Sequence, residues 1–339
     1  MSLSWSKSKN SIGVAITTSK TLSQANKILY LTDDSFERKE KKPNEEKKRK
    51  DFTKDDISNV LYSRIKNRKT IIDEIQNALQ KNINFDSTDE KAVEAYDKLK
   101  RMQEIKNDKI ELPMGVEFEL LPLMKEDLKD GNYRQTLFVS GMPNSGKSYF
   151  CKQYLLLYHE IYPKNKVYFI SQQKLENDES LTEVKRFMEQ IKIDDLLDTE
   201  NPIDWESFTS KPCLVMFDDF DGLDRKPLIR GQKSTFQIVM DLMYNILANA
   251  RKFGTFCLIT NHDLNPRDGS TSKILKNVDY FIVFTRGILK HNLEYFGTKY
   301  LGLDKPLLSE MKKSPSRWFA IRRIAPLFML SQYDAKILE

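Results

Sequence analysis

The chain has 339 residues, with 55 basic and 49 acidic side chains and a formal net charge of +6. This length allows a core domain of roughly 200 residues with appendages. A content of 40% hydrophobic and 31% charged residues describes a globular protein and excludes disorder throughout the chain. The mild excess of positive charge permits a nucleic-acid partner without requiring one.

The cysteine and histidine content argues against a disulfide framework and against a structural zinc site. The chain has three cysteines and three histidines, and neither a CxxC pair nor a paired-histidine spacing occurs. The N-terminus lacks the apolar core of a secretory signal, and no run approaches the roughly 18 apolar residues of a membrane span. We therefore expect a cytoplasmic protein that does not bind membranes.

The first third of the chain differs in character from the rest. We expect residues 1–109 to form an N-terminal region, although residues 1–36 show too little pattern to assign structure. Residues 37–54 are rich in Glu, Lys and Arg, which predicts a solvated linker; contact with phosphates is the alternative. Apolar residues recur at helical spacing over residues 57–79 and 88–105, which predicts a helical hairpin that packs on the core or on a neighbouring subunit.

We place the catalytic core at residues 110–339, where a strand predicted at 110–124 is followed by alternating strands and helices. Short apolar runs predict strands at residues 136–140, 166–171, 213–217, 255–260 and 280–284. Helices are predicted at residues 147–158, 181–189, 235–253 and 272–276. The fold class is α/β, a P-loop NTPase with a mainly parallel sheet covered by helices on both faces. A C-terminal hairpin is predicted at residues 318–324 and 327–330.

A phosphate-binding loop lies between the first predicted core strand and its helix. The loop fits the pattern G-x-x-x-x-G-K-[ST], and its residues are Gly141, Met142, Pro143, Asn144, Ser145, Gly146, Lys147 and Ser148. The glycines let the backbone curl so that its amides point at the β-phosphate, and the helix N-terminus adds to the attraction. Lys147 would neutralise the β- and γ-phosphates, while the Ser148 hydroxyl would hold Mg²⁺.

A pair of carboxylates follows the apolar strand at residues 213–217. Asp218 would hold Mg²⁺ at the carboxyl end of this strand, and Asp219 could orient and deprotonate the attacking water. The alternative is an acidic loop without catalytic function, because further aspartates follow closely. An acid directly after the metal-binding Asp resembles the ATPases that keep an additional strand between the phosphate loop and the metal strand, and we expect residues 166–171 to be that strand. This resemblance, and the absence of an Asn-Lys-x-Asp motif, favour ATP as the nucleotide.

Two further polar residues are candidates for catalysis. Asn261 ends the strand predicted at residues 255–260 and could sense the γ-phosphate; the alternative is a turn or helix-capping Asn. Arg251 lies at the end of the preceding helix, where it could serve as an arginine finger or simply complement the helix dipole. A basic cluster near the C-terminus (Arg317, Arg322 and Arg323) is explained equally well as a solvated hairpin face.

The order of these parts resembles the poxvirus-type genome-packaging ATPases of large DNA viruses, within the FtsK/HerA superfamily. The resemblance covers about residues 134–330. It rests on the phosphate loop, on Phe217-Asp218-Asp219, on Ala250-Arg251-Lys252-Phe253-Gly254, on the strand that ends at Asn261, on Asn265-Pro266-Arg267 and on the apolar run at residues 277–284. The chain departs from the wider superfamily in having Asp219 where Glu is common.

The resemblance implies an ATPase, a hydrolase acting on acid anhydrides, with ATP and Mg²⁺ as cofactors. It implies a homo-oligomeric ring that translocates or packages double-stranded DNA, with capsid or other packaging proteins as further partners. Arg251 would then act in trans on a neighbour's nucleotide, and the protein would work in host cytoplasm, a viral factory or the virion. The alternatives are another ATPase of the same branch, such as a helicase or AAA-type remodeller, and a scaffold protein that uses ATP as a switch.

Overall fold

The computed structural model describes most of the chain, including the whole phosphate loop. It describes residues 2–8, 11–19, 26–32, 52–61, 67–81, 83–107, 109–128, 134–198, 200–227, 232–264 and 269–338. The predicted linker lies outside these residues except for residues 52–54, and so do Asn265, Pro266 and Arg267. No helix of the described residues is long and apolar enough to cross a membrane.

Strands and helices alternate through the C-terminal two thirds of the chain. The strands are β1 (Ser2–Ser4), β2 (Ser11–Ser19), β3 (Ile28–Thr32), β4 (Lys109–Glu111), β5 (Val116–Leu120), β6 (Thr136–Ser140), β7 (Lys166–Ser171), β8 (Met188–Ile191), β9 (Cys213–Asp218), β10 (Phe256–Asn261), β11 (Tyr280–Val283), β12 (Phe319–Arg322), β13 (Phe328–Ser331) and β14 (Asp334–Ile337). The helices are α1 (Lys54–Val60), α2 (Arg68–Lys81), α3 (Glu90–Asn107), α4 (Lys147–Ile161), α5 (Ile193–Leu196), α6 (Thr235–Asn249), α7 (Gly269–Leu275), α8 (Lys290–Leu301) and α9 (Lys305–Lys313).

A ten-stranded sheet forms the core of the protein, in the order β4-β14-β13-β12-β11-β6-β10-β9-β7-β8. Six neighbouring strands of this sheet, β11, β6, β10, β9, β7 and β8, pair in parallel. Their residues are almost entirely apolar because both faces are covered: Leu137 and Val139 face one side of β6, and Phe138 faces the other. The predicted α/β class and its mainly parallel sheet are confirmed.

The predicted C-terminal hairpin extends the same sheet. β12 pairs antiparallel with β11, and β13 pairs antiparallel with β12. The chain then adds β14, and β4 closes this edge, again with antiparallel pairing.

A second sheet, which the sequence did not suggest, covers part of one face of the core. Its four strands lie in the order β1-β3-β2-β5. Apolar residues of this sheet, such as Leu29 and Phe118, share a buried cluster with α4 and with one face of the large sheet. Helices α6, α8 and α9 cover the opposite face. The face that α4 covers is therefore covered by a helix and a sheet together.

The prediction of a single strand at residues 110–124 is wrong. The segment forms β4 and β5, which belong to different sheets. A turn separates them, and Gly115 in this turn has a φ of 84°, a left-handed conformation that glycine adopts without a steric cost.

The prediction of a helix at residues 181–189 is also wrong. This segment forms the 3-10 turns Glu179–Leu181 and Lys185–Phe187 and then enters β8. β8 pairs in parallel with β7 at the edge of the sheet, so the ladder satisfies backbone groups that a helix would have satisfied internally. The pairing outweighs the helical spacing of the apolar residues.

The predicted helical regions before the core are present, and the first is divided into α1 and α2. Residues of α1, α2 and α3 pack into a small core of their own, with Ile57, Ile75 and Leu99 fully buried. α3 also contacts β14, at the edge of the large sheet.

Candidate nucleotide site

The phosphate loop curls tightly between the end of β6 and the start of α4. Gly146, the residue before α4, has a φ of 105°, and Asn144 has a φ of 62°. A Cβ atom added at Gly141 would lie 2.6 Å from Phe284 Cβ and 2.8 Å from Ser145 Oγ, closer than packing permits. The loop therefore needs glycine at positions 141 and 146. Its backbone leads into a helix N-terminus suited to bind an anion.

Lys147 folds back onto the loop that precedes it. Its side chain is only 7% exposed, and its Nζ donates to the Gly141 carbonyl oxygen at 2.7 Å. The same Nζ lies 2.8 Å from Nδ1 of His262. Burial lowers the pKa of Lys147, although the nearby aspartates oppose this shift. The ammonium group thus stands at the loop, on the side where β- and γ-phosphates would bind.

The Asp218 carboxylate lies at the carboxyl end of β9. Thr260, on the neighbouring strand β10, donates from Oγ1 to Asp218 Oδ1 at 2.7 Å. Burial raises the pKa of Asp218 to about 6, and the negative charge of Asp219 adds to the shift. A carboxylate that is destabilised in this way gains from a cation placed beside it.

Asp219 adopts a left-handed backbone conformation directly after the strand. Its φ and ψ are 44° and 47°, which is uncommon for a residue other than glycine. Its backbone N–H donates to Thr260 Oγ1 at 2.9 Å, and its Oδ2 lies 3.1 Å from Nε2 of His262. The turn aims the Asp219 carboxylate toward His262 and, through it, toward Lys147.

His262 is the functional candidate that sequence reasoning missed. It lies between Lys147 on one ring nitrogen and Asp219 on the other, and so joins the phosphate loop to the acidic pair. Lys147 and His262 are 115 residues apart, so no local pattern signals the contact. The one available signal is its position, directly after Asn261 at the carboxyl end of a core strand.

Asn261 lies in the same part of the site and is 1% exposed. Its backbone carbonyl accepts from the Gly141 N–H at 3.3 Å, so it supports the phosphate loop. Its Nδ2 donates to the Asp263 carbonyl at 2.8 Å, as a turn-forming Asn does. Its Oδ1 has no hydrogen-bond partner among the described residues. The structure thus gives Asn261 a local structural contact and leaves its amide oxygen unused.

The carboxylate and hydroxyl oxygens at this edge of the sheet fit Mg²⁺. The sequence assigns the metal to Ser148 and Asp218, and the structure adds a group formed by Asp219, Asp221 and His262, whose ligand atoms lie within 4.8 Å of one another. Oδ1 of Asp221 is buried without a hydrogen-bond partner among the described residues. A cavity of about 270 Å³ opens at Asp219, Asp221 and His262. Carboxylate and hydroxyl oxygens are ligands that Mg²⁺ prefers.

Arg251 does not join the site of its own chain. It lies in the 3-10 turn Ala250–Phe253, which precedes the first residue of β10, whereas the candidate nucleotide site lies where β10 ends at Asn261. The length of the strand alone separates the two ends by about 16 Å.

The strand that lies between the phosphate loop and the acidic pair is β10. It pairs with β6 on one side and with β9 on the other. We expected β7 in this position, but β7 lies on the far side of β9. The expectation was wrong because strands that follow one another along the chain need not be neighbours in a parallel sheet.

The predicted basic cluster at the C-terminus is not one solvated face. Arg322 is buried and donates to the Pro326 carbonyl, and Arg323 donates to the Leu275 carbonyl. Only Arg317 is exposed.

Comparison with known proteins gives one sequence relative and several structural neighbours. No family model matches the chain. The uncharacterized protein V3 of Sputnik virophage is 30% identical over 206 residues, which cover 61% of this chain and 78% of that protein. The genome packaging NTPase B204 of Sulfolobus turreted icosahedral virus 2, in complex with AMPPCP, is similar over 56% of this chain and 92% of that chain, with 14% identity and a TM-score of 0.37. The pCW3 conjugation coupling protein TcpA with ATPgS is similar over 62% of this chain and 63% of that chain, with 14% identity and a TM-score of 0.41.

Proposed function

This chain belongs to the family of the V3 protein of Sputnik virophage, and from its nucleotide site we propose that it is an ATP-hydrolysing motor that translocates or packages double-stranded DNA. The proposal covers the site residues, the Mg²⁺ requirement, the DNA substrate and the assembly. It treats residues 110–339 as the motor core and residues 1–109 as an appendage to it.

One observation carries the proposal: residues from three neighbouring strands meet at the edge of the sheet where the phosphate loop lies. Lys147 follows β6, His262 follows β10, Asp218 ends β9 and Asp219 follows it. His262 lies 2.8 Å from Lys147 and 3.1 Å from Asp219, and Thr260 of β10 hydrogen-bonds the Asp218 carboxylate at 2.7 Å and the Asp219 backbone N–H at 2.9 Å. A triphosphate held by the loop would face carboxylates that can hold a metal and accept a proton. A plain acidic loop does not explain the contacts with Thr260 and His262.

The roles follow from these positions. The amides of the loop and Lys147 would bind the β- and γ-phosphates, and Lys147 would exchange His262 for phosphate oxygens. When bound, Mg²⁺ would neutralise charge on the β- and γ-oxygens, held by Ser148 and Asp218. Asp219 would orient the attacking water and take its proton.

The DNA substrate is supported by the order of motifs, which resembles that of genome-packaging ATPases from the phosphate loop to β11. A net charge of +6 is compatible with binding to phosphate backbones. A ring of identical subunits would bring Arg251 of one subunit to the nucleotide of the next, since it cannot reach its own. Capsid or other packaging proteins would be the further partners.

The test is the rate of ATP hydrolysis with and without duplex DNA, measured at low salt, where phosphate contacts are strongest. We expect duplex DNA to raise the rate severalfold, and added salt to remove this stimulation. Hydrolysis that duplex DNA leaves unchanged at every salt concentration would contradict the DNA part of the proposal.

Two further measurements separate the alternatives. Separation of the strands of a forked duplex would indicate a helicase. An ATP-switched scaffold would keep its binding function in Asp219→Asn, because it needs no turnover. A motor with the same substitution should bind ATP and stall.

A further inference from the structure

A second cavity, of about 300 Å³, opens beside the phosphate loop, away from the cavity at Asp219, Asp221 and His262. Gly146 of the loop and Tyr149, which directly follows Ser148, line one wall. Arg317 and Gln332, from the segments next to β12 and β13, line another. β5 of the N-terminal sheet supplies the third wall, with Glu117 and Glu119. The residues of the metal and water site do not line this cavity.

The position of the cavity fixes which end of a nucleotide it could receive. β6, which carries the phosphate loop, pairs with β10 on one side and with β11 on the other. The acidic pair lies on the β10 side, so the γ-phosphate of a nucleotide bound as proposed must point there. The nucleoside must then extend to the β11 side. Phe284, which follows β11, lies under Gly141 and Gly146 and lines the cavity, so the cavity begins where the loop ends.

Tyr149 offers an aromatic face at the entrance to this cavity. It lies in the first turn of α4, and its side chain is 59% exposed. Lys152 lies 5.0 Å from the centre of the ring and covers part of it. Aromatic side chains bind nucleobases by stacking, whatever the base.

The opposite wall carries hydrogen-bond acceptors. Glu119 is partly buried, and Glu117 accepts from Gln332 Nε2 at 3.0 Å. Burial, with a smaller effect from the charge of Glu117, raises the pKa of Glu119. A partly desolvated carboxylate beside an open cavity favours a ligand that donates hydrogen bonds to it. Nucleosides carry such donors on the exocyclic amino group and on the ribose hydroxyls.

We propose that this cavity binds the nucleoside end of the nucleotide, with Tyr149 against the base and Glu119 accepting from a nucleoside donor. The proposal rests on the proposed function, because it needs the triphosphate in the phosphate loop. It gives the N-terminal sheet a direct part in selecting the nucleotide, since β5 carries Glu119.

Titration calorimetry with two probes, MgATP and magnesium tripolyphosphate, tests the proposal on the full chain. Tripolyphosphate offers the phosphates without a nucleoside. Wild type should bind ATP more tightly than tripolyphosphate. Tyr149→Ala should lower the affinity for ATP about tenfold, which is the contribution of one base–aromatic stack, and should leave the affinity for tripolyphosphate unchanged. Tyr149→Phe should retain the preference, and Tyr295→Ala, at an exposed tyrosine of α8 outside the cavity, should behave as wild type.

Inosine triphosphate and 2′-deoxyATP identify the donor that Glu119 accepts from. Inosine triphosphate lacks the exocyclic amino group, and 2′-deoxyATP lacks one ribose hydroxyl. Glu119→Gln should abolish the preference for ATP over one of these analogues, while Glu94→Gln, at an exposed position on α3, should keep it.

One outcome overturns the inference and leaves the proposed function intact. In that outcome wild type binds both probes, and Tyr149→Ala and Glu119→Gln leave the ratio of the two affinities unchanged, whether the affinities themselves stay the same or fall equally. Failure of wild type to bind either probe would instead contradict the proposed function itself.

Discussion

At the scale of single residues, the charged side chains of the site contact other groups of the protein. Lys147 contacts the carbonyl oxygens of its own loop, and His262 bridges Lys147 to Asp219. An arriving triphosphate would replace these contacts with stronger ones to phosphate oxygens. His262 is then left with Asp219, in a position to fix the carboxylate that would orient the water.

His262→Ala should therefore affect turnover more than binding. Without the ring, Lys147 is free to meet the phosphates, so the KM for ATP should stay the same or fall. The Asp219 carboxylate loses the group that positions it, and kcat should fall about tenfold to a hundredfold. Steady-state kinetics at saturating Mg²⁺ measures both quantities. His291→Ala, on α8, is the matched control and should change neither. A kcat equal to that of wild type would exclude a positioning role for His262.

Asp218 should make the metal-free protein less stable above pH 6. Its pKa is raised from 3.8 to about 6 in the folded state. The contribution of this residue to stability is therefore fully present below pH 3.8 and is lost as the pH rises through about 6. Asp218→Asn keeps an acceptor for Thr260 and cannot ionise, so it should be more stable than wild type above pH 6, by about 3 kcal/mol.

Thermal unfolding between pH 4 and pH 8, in the presence of a chelator, measures this difference. The melting temperatures of wild type and Asp218→Asn should converge toward the acid end and separate toward neutral pH. A constant difference across this range would contradict the raised pKa.

At the scale of elements, the N-terminal sheet is packed into the body of the core. β2 and β3 place Val14, Leu29 and Leu31 in the cluster that also contains α4 and one face of the large sheet. The helix that carries the phosphate loop therefore has the N-terminal sheet as part of its support.

Leu29→Ala should destabilise the protein by about 2–5 kcal/mol, because it leaves a cavity in a fully buried cluster. The free energy of unfolding from a denaturant titration gives the value. Leu289→Ala removes the same atoms from a side chain that is mostly exposed, and should cost less than about 1 kcal/mol. Equal losses for the two variants would mean that the N-terminal sheet contributes little to the fold.

The elements that could be predicted from the sequence are those whose signals are local. β6, β7 and β9 are continuous apolar runs, and the phosphate loop has a fixed spacing that needs no tertiary context. β2 mixes Ser, Thr and Gly with apolar residues, and β8 follows a segment with helical spacing, so neither gives a local signal. Their pairing partners decide their structure. The contact between Lys147 and His262 likewise depends on the strand order, which the chain order does not reveal.

At the scale of the whole molecule, the role of Arg251 depends on whether the protein works alone or as an assembly. It lies at the edge of the sheet opposite to the nucleotide site of its own chain, at the start of β10. A role in catalysis therefore requires a neighbouring subunit, whereas a purely structural role at the end of α6 does not.

A mixture of two variants, each with reduced turnover alone, should distinguish these roles. Arg251→Ala lacks the residue that would act on a neighbour, and Asp219→Asn lacks the base within its own site. In mixed rings, some sites should combine an intact Asp219 with an intact Arg251 from the next subunit, so ATP hydrolysis should partly recover. The rate of a mixture, compared with each variant alone at the same total concentration, measures this. No recovery, in mixtures shown to exchange subunits, would contradict action in trans.

The most direct test of the account is magnesium-dependent ATP hydrolysis by wild type and by Lys147→Ala, with Lys166→Ala as the control. Lys166 lies on the surface and pairs with Glu189, away from the site. We expect hydrolysis by wild type that requires Mg²⁺, no hydrolysis by Lys147→Ala, and a control that equals wild type. Hydrolysis that survives in Lys147→Ala, or a wild type that neither binds nor hydrolyses MgATP in any assembly state, would contradict the account.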